Sequence, residues 1–200
     1  MRTVLFVLVC LGMMACQPDS LNEQELNAYI QDESNGLIKK QTRKGIDVAV
    51  ACRPTDLLVA QELRAKPNHT TDFIDSLKQK YDQYAYFMLS LSKGNQEVLR
   101  QTGDFSSFSN TLQTLSFDMA SYVNITTSQQ DTISVADFIY PRLYGASQNT
   151  SLLFVFRKDK INATEWVQFN LKEFGLGIGV TRFRFETSAL QNIPQLVFEK

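Results

Sequence analysis

The chain has little of the residue chemistry from which metal sites and nucleophilic active sites are usually built. Its 200 residues include one histidine, His69, and three cysteines. No Cys-x-x-Cys or His-Glu-x-x-His pattern occurs, so a zinc or iron site of nitrogen and sulfur ligands cannot be assembled. No Gly-x-Ser-x-Gly pattern occurs either, and His69, in a polar stretch, is interpreted as a solvated loop residue. The sequence therefore predicts no metal site, no cofactor and no catalytic histidine.

An excess of charge of one sign is also missing. The chain has 20 lysines and arginines against 21 aspartates and glutamates, which gives a formal net charge of −1. A nucleic-acid-binding surface needs a dense basic patch, and no block of lysine and arginine supplies one. We therefore expect no nucleic-acid partner. The remaining composition, 44% hydrophobic and 20% charged, is typical of a globular protein.

The N-terminus has the layout of an export signal. Arg2 precedes an uninterrupted apolar run over residues 4–11, and small residues lead to Cys16. The run is too short to span a bilayer as a permanent anchor. The segment resembles the signal peptide of bacterial lipoproteins, in which a peptidase cleaves before a cysteine that then carries the acyl chains. Ala15 suits the small site before the cut, whereas Met13 stands where that family usually has a branched aliphatic residue.

This resemblance implies a lipid anchor on Cys16. Gln17 is not the aspartate that retains some lipoproteins at the inner membrane, which favours the outer membrane, at its periplasmic or cell-surface face. With the acids Glu23 and Glu25, the start also resembles the export tags of surface lipoproteins of Bacteroidota. The implied organisation is a signal peptide at 1–15, a lipidated tether at 16–20 and a single domain at 21–200.

Cys52 is the one cysteine that this organisation leaves in the body, because Cys10 is removed with the signal and Cys16 is lipidated. Cys52 ends a stretch, 46–52, in which apolar side chains alternate with small or polar ones. A cysteine in that place is interpreted as a buried, unreactive thiol. Without lipidation, a disulfide between Cys16 and Cys52 is the alternative.

Apolar spacing divides the body into helices and strands. Helical spacing predicts helices at 21–32, 57–65, 73–81 and 105–115. Alternation and bulky β-forming residues predict strands at 46–52, 84–92, 117–126, 152–158, 166–171, 181–187 and 195–198. Ser20 and Glu23 form a predicted capping box for the first helix. Residues 133–144 also have helical spacing, although Pro141 would break or kink a helix there.

These elements predict an α+β fold. Short helices lie mainly in the N-terminal half and are expected to pack on a mostly antiparallel sheet built largely from the C-terminal half. The strand at 84–92 has bulky apolar residues on both faces and is expected to be central.

One predicted strand carries a basic face. Phe183 and Phe185 point to one side of this strand, and Arg182 and Arg184 point to the other. Arg157 would extend the basic face if its strand is a neighbour. Such a face could bind an anionic partner or glycan, because arginine suits carboxylate and phosphate groups. The alternative is the ordinary solvated side of a sheet buried on one face.

The glycine-rich stretch and the carboxylates give weaker signals. The glycines at 175, 177 and 179 lack a P-loop lysine and lead into a strand, so they are interpreted as a tight bend rather than a phosphate loop. Carboxylates such as Asp118, Glu165 or Glu186 could form a glycosidase pair, which spacing alone cannot exclude.

The expected function is therefore a non-enzymatic, outer-membrane-anchored binding or accessory module for another envelope protein or a surface glycan. The alternatives are a cell-surface polysaccharide hydrolase of carboxylate type, and an envelope assembly or chaperone accessory. The last would need an unpaired strand edge such as that at 195–198.

Overall fold

The computed structural model describes residues 20–66, 70–143 and 146–198. The predictions for the signal peptide, Cys16 and His69 fall outside these residues. Within the three ranges, no helix combines the length and the apolar character needed to cross a bilayer.

The helices and strands follow one another in short elements. The helices are α1 (Glu23–Gln31), α2 (Thr55–Arg64), α3 (Thr71–Tyr81), α4 (Phe105–Gln113), α5 (Met119–Tyr122) and α6 (Thr187–Gln191). The strands are β1 (Ser20–Leu21), β2 (Ile38–Arg43), β3 (Ile46–Cys52), β4 (Tyr84–Ser92), β5 (Val123–Thr127), β6 (Thr132–Ser134), β7 (Asp137–Ile139), β8 (Thr150–Arg157), β9 (Trp166–Leu171), β10 (Thr181–Glu186) and β11 (Gln195–Leu196).

The strands form two antiparallel sheets and one short parallel pair. The five-stranded sheet has the order β2-β3-β4-β8-β7, the four-stranded sheet has the order β10-β9-β5-β6, and β1 pairs with β11. The predicted α+β class is confirmed, and β4 is central in its sheet. The strands divide between two main sheets, however, and the N-terminal half supplies β2, β3 and β4 of the larger one. Two sheets form because each has one strongly apolar face, and stacking buries both.

Phenylalanine rings from both sheets fill the space between them. The ring centroid of Phe87 in β4 lies 5.3 Å from that of Phe185 in β10 and 6.0 Å from that of Phe169 in β9. Phe154 in β8 packs 5.7 Å from Phe169. All four side chains are at most 1% exposed. Replacing one such ring by alanine costs about 3–5 kcal/mol, so this layer dominates the stability of the fold.

The prediction of a strand at 117–126 is wrong over its first half. Thr114–Asp118 is a π-helix that continues into α5, and the strand begins at Val123. Leu115 and Met119, one helical turn apart, are both fully buried, whereas Phe117 is 71% exposed. The alternation of Phe117 with its neighbours resembles a strand, but burial follows the helical period.

The helical spacing at 133–144 is also misleading. Residues in this segment form β6 and β7, which pair with β5 and β8. Ile133 lies opposite Ile125, and Phe138 lies opposite Phe154 with its ring stacked 5.9 Å away. Pairing with formed strands overrides the local pattern, because it buries these side chains and satisfies the backbone at once.

The first helix begins two residues later than predicted. Asn22 caps α1, and Glu25 completes the capping box in place of Ser20 and Glu23. Ser20 is instead part of β1, opposite Gln195 in β11. The C-terminal strand is therefore paired along one edge, with β1.

Candidate ligand-binding clefts

Two clefts adjoin the outer face of the five-stranded sheet, which points away from the phenylalanine core. Paired residues of neighbouring strands share a face, and the register places Ala51 opposite Met88, and Met88 opposite Leu153. Tyr86 lies opposite Val155 on this same face. These side chains point outward because each alternates with a buried core residue of its own strand.

The first cleft, here called the tyrosine cleft, has a volume of about 890 Å³. Its floor comes from β4 and β8, and further lining comes from α2, α3 and the β7 region. The principal lining side chains are Arg53, Leu58, Glu62, Lys80, Tyr81, Tyr84, Tyr86, Met88, Asp137, Ile139, Pro141, Leu153 and Val155. A mainly apolar concavity with a few polar groups is the usual form of a ligand site.

Three tyrosines are grouped in this cleft. The Tyr86 ring lies 6.2 Å from Tyr81 and 6.5 Å from Tyr84, in edge-to-face arrangements. The Tyr86 hydroxyl donates to the Tyr81 carbonyl at 3.2 Å, and the Tyr81 hydroxyl donates to the Glu62 carboxylate. That hydrogen bond raises the pKa of Tyr81, and desolvation raises the pKa of Tyr86 to about 12. Both hydroxyls therefore stay protonated, which makes them poor nucleophiles, and because each proton is donated within the chain they can offer a ligand only hydrogen-bond acceptors.

The second cleft, here called the polar cleft, has a volume of about 540 Å³. Its lining includes the small side chains of Ala49, Ala51, Ser90 and Ser92 from β3 and β4. Amides and a hydroxyl add hydrogen-bonding groups, from Asn27, Gln31, Gln41, Thr42 and Asn149. Arg53 and Met88 line both clefts, so the two adjoin at these residues.

Arg53 occupies the junction of the clefts. Its backbone N–H donates to the Tyr86 carbonyl at 2.9 Å, which continues the β3–β4 pairing by one residue. Its side chain is half-buried, and Nη2 lies 3.4 Å from Oε1 of Gln61. Desolvation lowers the pKa of Arg53, while the charge of Glu23 opposes this and that of Arg64 adds to it. Glu23 itself pairs with Arg64 at 2.9 Å, and no ion pair among the residues that the structure describes includes Arg53.

The arginines singled out in the sequence are not brought together. Arg182 and Arg184 are exposed on the outer face of the four-stranded sheet, as the alternation predicts, and the Arg184 guanidinium lies 3.9 Å from the Trp166 ring centroid. Arg157 lies in the other sheet, where its Nε is 3.7 Å from the Asp159 carboxylate. Arg157 therefore does not extend the basic face, and anion binding by Arg182 and Arg184 stays a prediction.

On the face that carries Arg182 and Arg184, the neighbouring polar side chains are hydrogen-bonded to one another. The Asn170 amide donates to Oδ1 of Asn124 and Oγ1 of Thr126, both at 2.8 Å. The Gln168 amide donates to Oδ1 of Asn170, also at 2.8 Å. We call this surface, formed by residues 124, 126, 166, 168, 170, 182 and 184, the amide face.

The glycine-rich stretch binds an anion that belongs to the chain itself. The N–H groups of Gly175, Gly177 and Gly179 donate to the Glu173 carboxylate at 2.8, 2.7 and 2.5 Å. All three glycines have positive φ, which they adopt without a side-chain clash. Partial burial acts to raise the pKa of Glu173, but these hydrogen bonds outweigh it and lower the pKa. The predicted bend before β10 is confirmed, and its anion-binding capacity is already used.

The remaining predicted groups lie apart from the clefts. Asp118, Glu165 and Glu186 are exposed and line neither cleft. Cys52 is confirmed as a buried free thiol at 8% exposure, and desolvation raises its pKa to about 12. It touches the polar cleft but stays protonated, which makes it unreactive.

Sequence analysis missed Arg53 and the tyrosines. The alternation of Tyr84, Tyr86 and Met88 against the core residues of β4 does mark an outward aromatic row. The same alternation occurs in a strand that is covered on both faces. The sequence therefore does not indicate that the space above this row is an open cleft. Arg53 follows β3 directly, but its lack of an ion pair is a tertiary property.

Comparisons with known proteins leave the function open. No protein-family model matches the chain, and no curated protein sequence matches it. Among solved structures, the chain is similar to a protein of unknown function from Burkholderia pseudomallei K96243, with a TM-score of 0.41 and 6% identity. That similarity covers 86% of this chain and 89% of the other. The function is therefore argued from the residues of this chain.

Proposed function

We propose that this protein is a non-enzymatic binding module of the cell envelope, anchored to the outer membrane through a lipid on Cys16. The ligand, a surface glycan or a segment of another envelope protein, occupies the tyrosine cleft and the polar cleft. The observation that carries this proposal is the outward row of tyrosine and apolar side chains at the base of an open concavity.

The lining of the tyrosine cleft supports binding. Tyr84 is half-buried, so part of its ring can be covered by a ligand. Tyrosine supplies both an apolar ring and a polar hydroxyl, which suits it to surfaces that are dry at one end and wet at the other. Ile139 is 53% exposed beside the cleft and gains burial when a ligand settles there.

The pairing of Ser20 supports a short tether. Ser20, four residues after Cys16 in the sequence, pairs with Gln195 of the body. At about 3.5 Å per residue, a lipid on Cys16 would hold this body within about 14 Å of its anchoring point. A binding module so placed acts on ligands at the membrane surface.

The anchor is tested by comparing the wild type with the Cys16→Ala variant in the native cell. We expect the wild type to incorporate labelled palmitate and to fractionate with outer membranes, and the variant to do neither. A variant that stays with membranes, together with a wild type that takes up no label, contradicts the anchor.

The ligand site is tested by photo-crosslinking in the same cells. A photoreactive amino acid is placed at Ile139 beside the tyrosine cleft or, as the matched control, at Gln168 on the amide face. We expect adducts from position 139 and few from position 168, identified by mass spectrometry. Equal labelling at the two positions contradicts the assignment of the cleft.

A polysaccharide hydrolase is the second candidate, because two carboxylates, Glu62 and Asp137, line the tyrosine cleft. A glycosidase needs such a pair across its substrate. The binding proposal predicts that purified protein releases no reducing ends from envelope polysaccharide. Release by the wild type that is lost in both Glu62→Gln and Asp137→Asn would replace the binding proposal with the hydrolase.

A further inference from the structure

We infer that the ligand of the two clefts is an acidic glycan, whose sugar carboxylate pairs with Arg53. This inference rests on the proposed function, because it names the ligand of the same site. It depends on three features of the clefts: the unpaired charge at their junction, the engagement of the other charged groups, and the position of the site on a sheet face.

The first feature is the state of Arg53. A guanidinium that is partly withdrawn from water loses hydration, and an anionic partner restores that loss. Within the residues that the structure describes, the side chain of Arg53 makes one long hydrogen bond, to Gln61 at 3.4 Å. The planar guanidinium offers paired donors that match the two oxygens of a carboxylate. Glu23 acts on Arg53 through its charge but is itself paired with Arg64, so Arg53 has no direct ion pair within the described residues and can take one from a ligand.

The second feature is that the other charged groups of the clefts already have partners. Glu62 accepts the Tyr81 hydroxyl, and its carboxylate lies 3.8 Å from Nζ of Lys80. Asp137 accepts the backbone N–H of Phe138 at 2.8 Å. In the polar cleft, Lys40 pairs with Glu33 at 3.1 Å, and Asp47 accepts the Thr42 hydroxyl at 2.7 Å. Arg53 is therefore the cation that a ligand anion can engage without breaking an existing ion pair.

The third feature favours a glycan over an acidic peptide. An extended peptide gains much of its affinity by pairing its backbone with a free strand edge. The floor here belongs to β3, β4 and β8, which are paired on both edges; the edge strands β2 and β7 also line the clefts, so a peptide that pairs by its backbone would lie along those edges and not across the floor beside Arg53. Side-chain hydroxyls and amides are what the polar cleft offers, from residues such as Ser90 and Asn149. These groups both donate and accept, as the hydroxyls of a sugar do.

The experiment uses the folded body with an array of oligosaccharides that pairs uronate- and sialate-bearing members with neutral counterparts. Acidic peptides are included on the same array, and affinities of the best members are measured by calorimetry. The test variant is Arg53→Gln, and the matched control is Arg184→Gln on the amide face. We expect the wild type to prefer the acidic sugars, Arg53→Gln to bind them at least tenfold more weakly, and Arg184→Gln to bind within twofold of the wild type.

Each other outcome overturns the inference in a distinguishable way. Equal binding of acidic and neutral sugars, unchanged in Arg53→Gln, removes the acidic ligand but keeps the proposed function. Preference for acidic peptides replaces the glycan by a protein segment. A loss in Arg184→Gln rather than in Arg53→Gln moves the anion site to the amide face. No binding to any member, together with no crosslink at position 139, removes the proposed function itself.

A fold defect in Arg53→Gln would imitate a lost contact, so thermal unfolding of each variant accompanies the measurement. Arg53→Lys provides the second variant, because it keeps the charge and loses the planar pair of donors. We expect its affinity for the acidic sugars to lie between those of the wild type and Arg53→Gln. Affinity equal to the wild type in both Arg53 variants contradicts the inference.

Discussion

The outer faces of the two sheets are built by the same alternation but have opposite characters. On the amide face, Arg184 is stacked on Trp166, and the amides of Asn170 and its neighbours bond to one another. On the other sheet, Arg53 lies beside Tyr86 at the junction of two open clefts. Both faces offer arginine, aromatic and amide groups. The difference lies in the arginines: the Arg184 guanidinium is stacked on Trp166, whereas Arg53 has only a long hydrogen bond to Gln61.

This contrast shows why composition alone does not locate a binding surface. The basic face found in the sequence contains more arginine than the clefts do, yet Arg184 has an aromatic partner and its surroundings are hydrogen-bonded. A ligand there would have to displace contacts that the fold already makes. A ligand at Arg53 adds contacts instead.

The largest expected effect comes from removing the floor of the tyrosine cleft. Tyr86 is 6% exposed, so Tyr86→Ala should lower the free energy of unfolding by about 3 kcal/mol. Tyr86→Phe keeps the ring and loses the hydrogen bond to Tyr81, which should cost about 1 kcal/mol. Arg182→Ala on the amide face should change stability by less than about 0.5 kcal/mol. Denaturant unfolding measures all three, and equal losses would remove the distinction between the faces.

The next largest effect is the loss of stability when the hydrogen bonds between side chains of the amide face are removed. Asn170→Ala leaves Asn124 and Thr126 without their shared donor, and should destabilise the protein by about 1–2 kcal/mol. Ser90→Ala in the polar cleft is the matched change on the other sheet and should cost less than about 0.5 kcal/mol. A larger loss for Ser90→Ala than for Asn170→Ala would mean that the cleft, and not the amide face, is the self-satisfied surface.

A smaller, pH-dependent effect should come from Glu173. The pKa of this carboxyl is lowered in the folded state from its ordinary value of 4.5, so its contribution is present above its unfolded pKa. That contribution is lost as the pH falls through the folded pKa. Glu173→Gln should therefore cost about 1 kcal/mol near neutral pH, and its stability should converge with that of the wild type in acid. Unfolding measured across this pH range tests it, and a difference independent of pH contradicts it.

The smallest expected effect is that of ligand binding on tryptophan fluorescence, which should not change. Trp166 is the one tryptophan of the chain and lies on the amide face, under Arg184. A ligand held in the clefts should leave its fluorescence emission unchanged, whereas Arg184→Ala should alter it by exposing the ring. A shift on adding the acidic sugars would place the ligand on the amide face.

The fold was more predictable from the sequence than the site. The strands at 46–52, 84–92 and 166–171 begin and end where the alternation puts them, because their apolar residues are buried against the opposite sheet. The segment 117–122 was assigned to the wrong element type and the helical spacing at 133–139 was misleading, since burial in both is decided by pairing and packing partners that are distant in sequence.

The clefts could be predicted only in part. An outward row of tyrosines is visible in the sequence of β4. The open cleft above this row, however, depends on how α2 and α3 pack beside the sheet. Arg53 lacks an ion pair because a nearby carboxylate pairs with another cation, as Glu23 does with Arg64. Such allocation of partners is fixed by the whole fold, so no local motif signals it.

The pairing of β1 with β11 also has a practical consequence. Ser20 lies opposite Gln195, and the Val197 N–H donates to the Leu21 carbonyl, so the entry and the exit of the folded body are side by side. A fluorescent or affinity tag fused close after Phe198 would lie near Ser20, and therefore near the proposed lipid tether. The turn at 93–96, between β4 and the following helical turn, is a better place to insert a reporter.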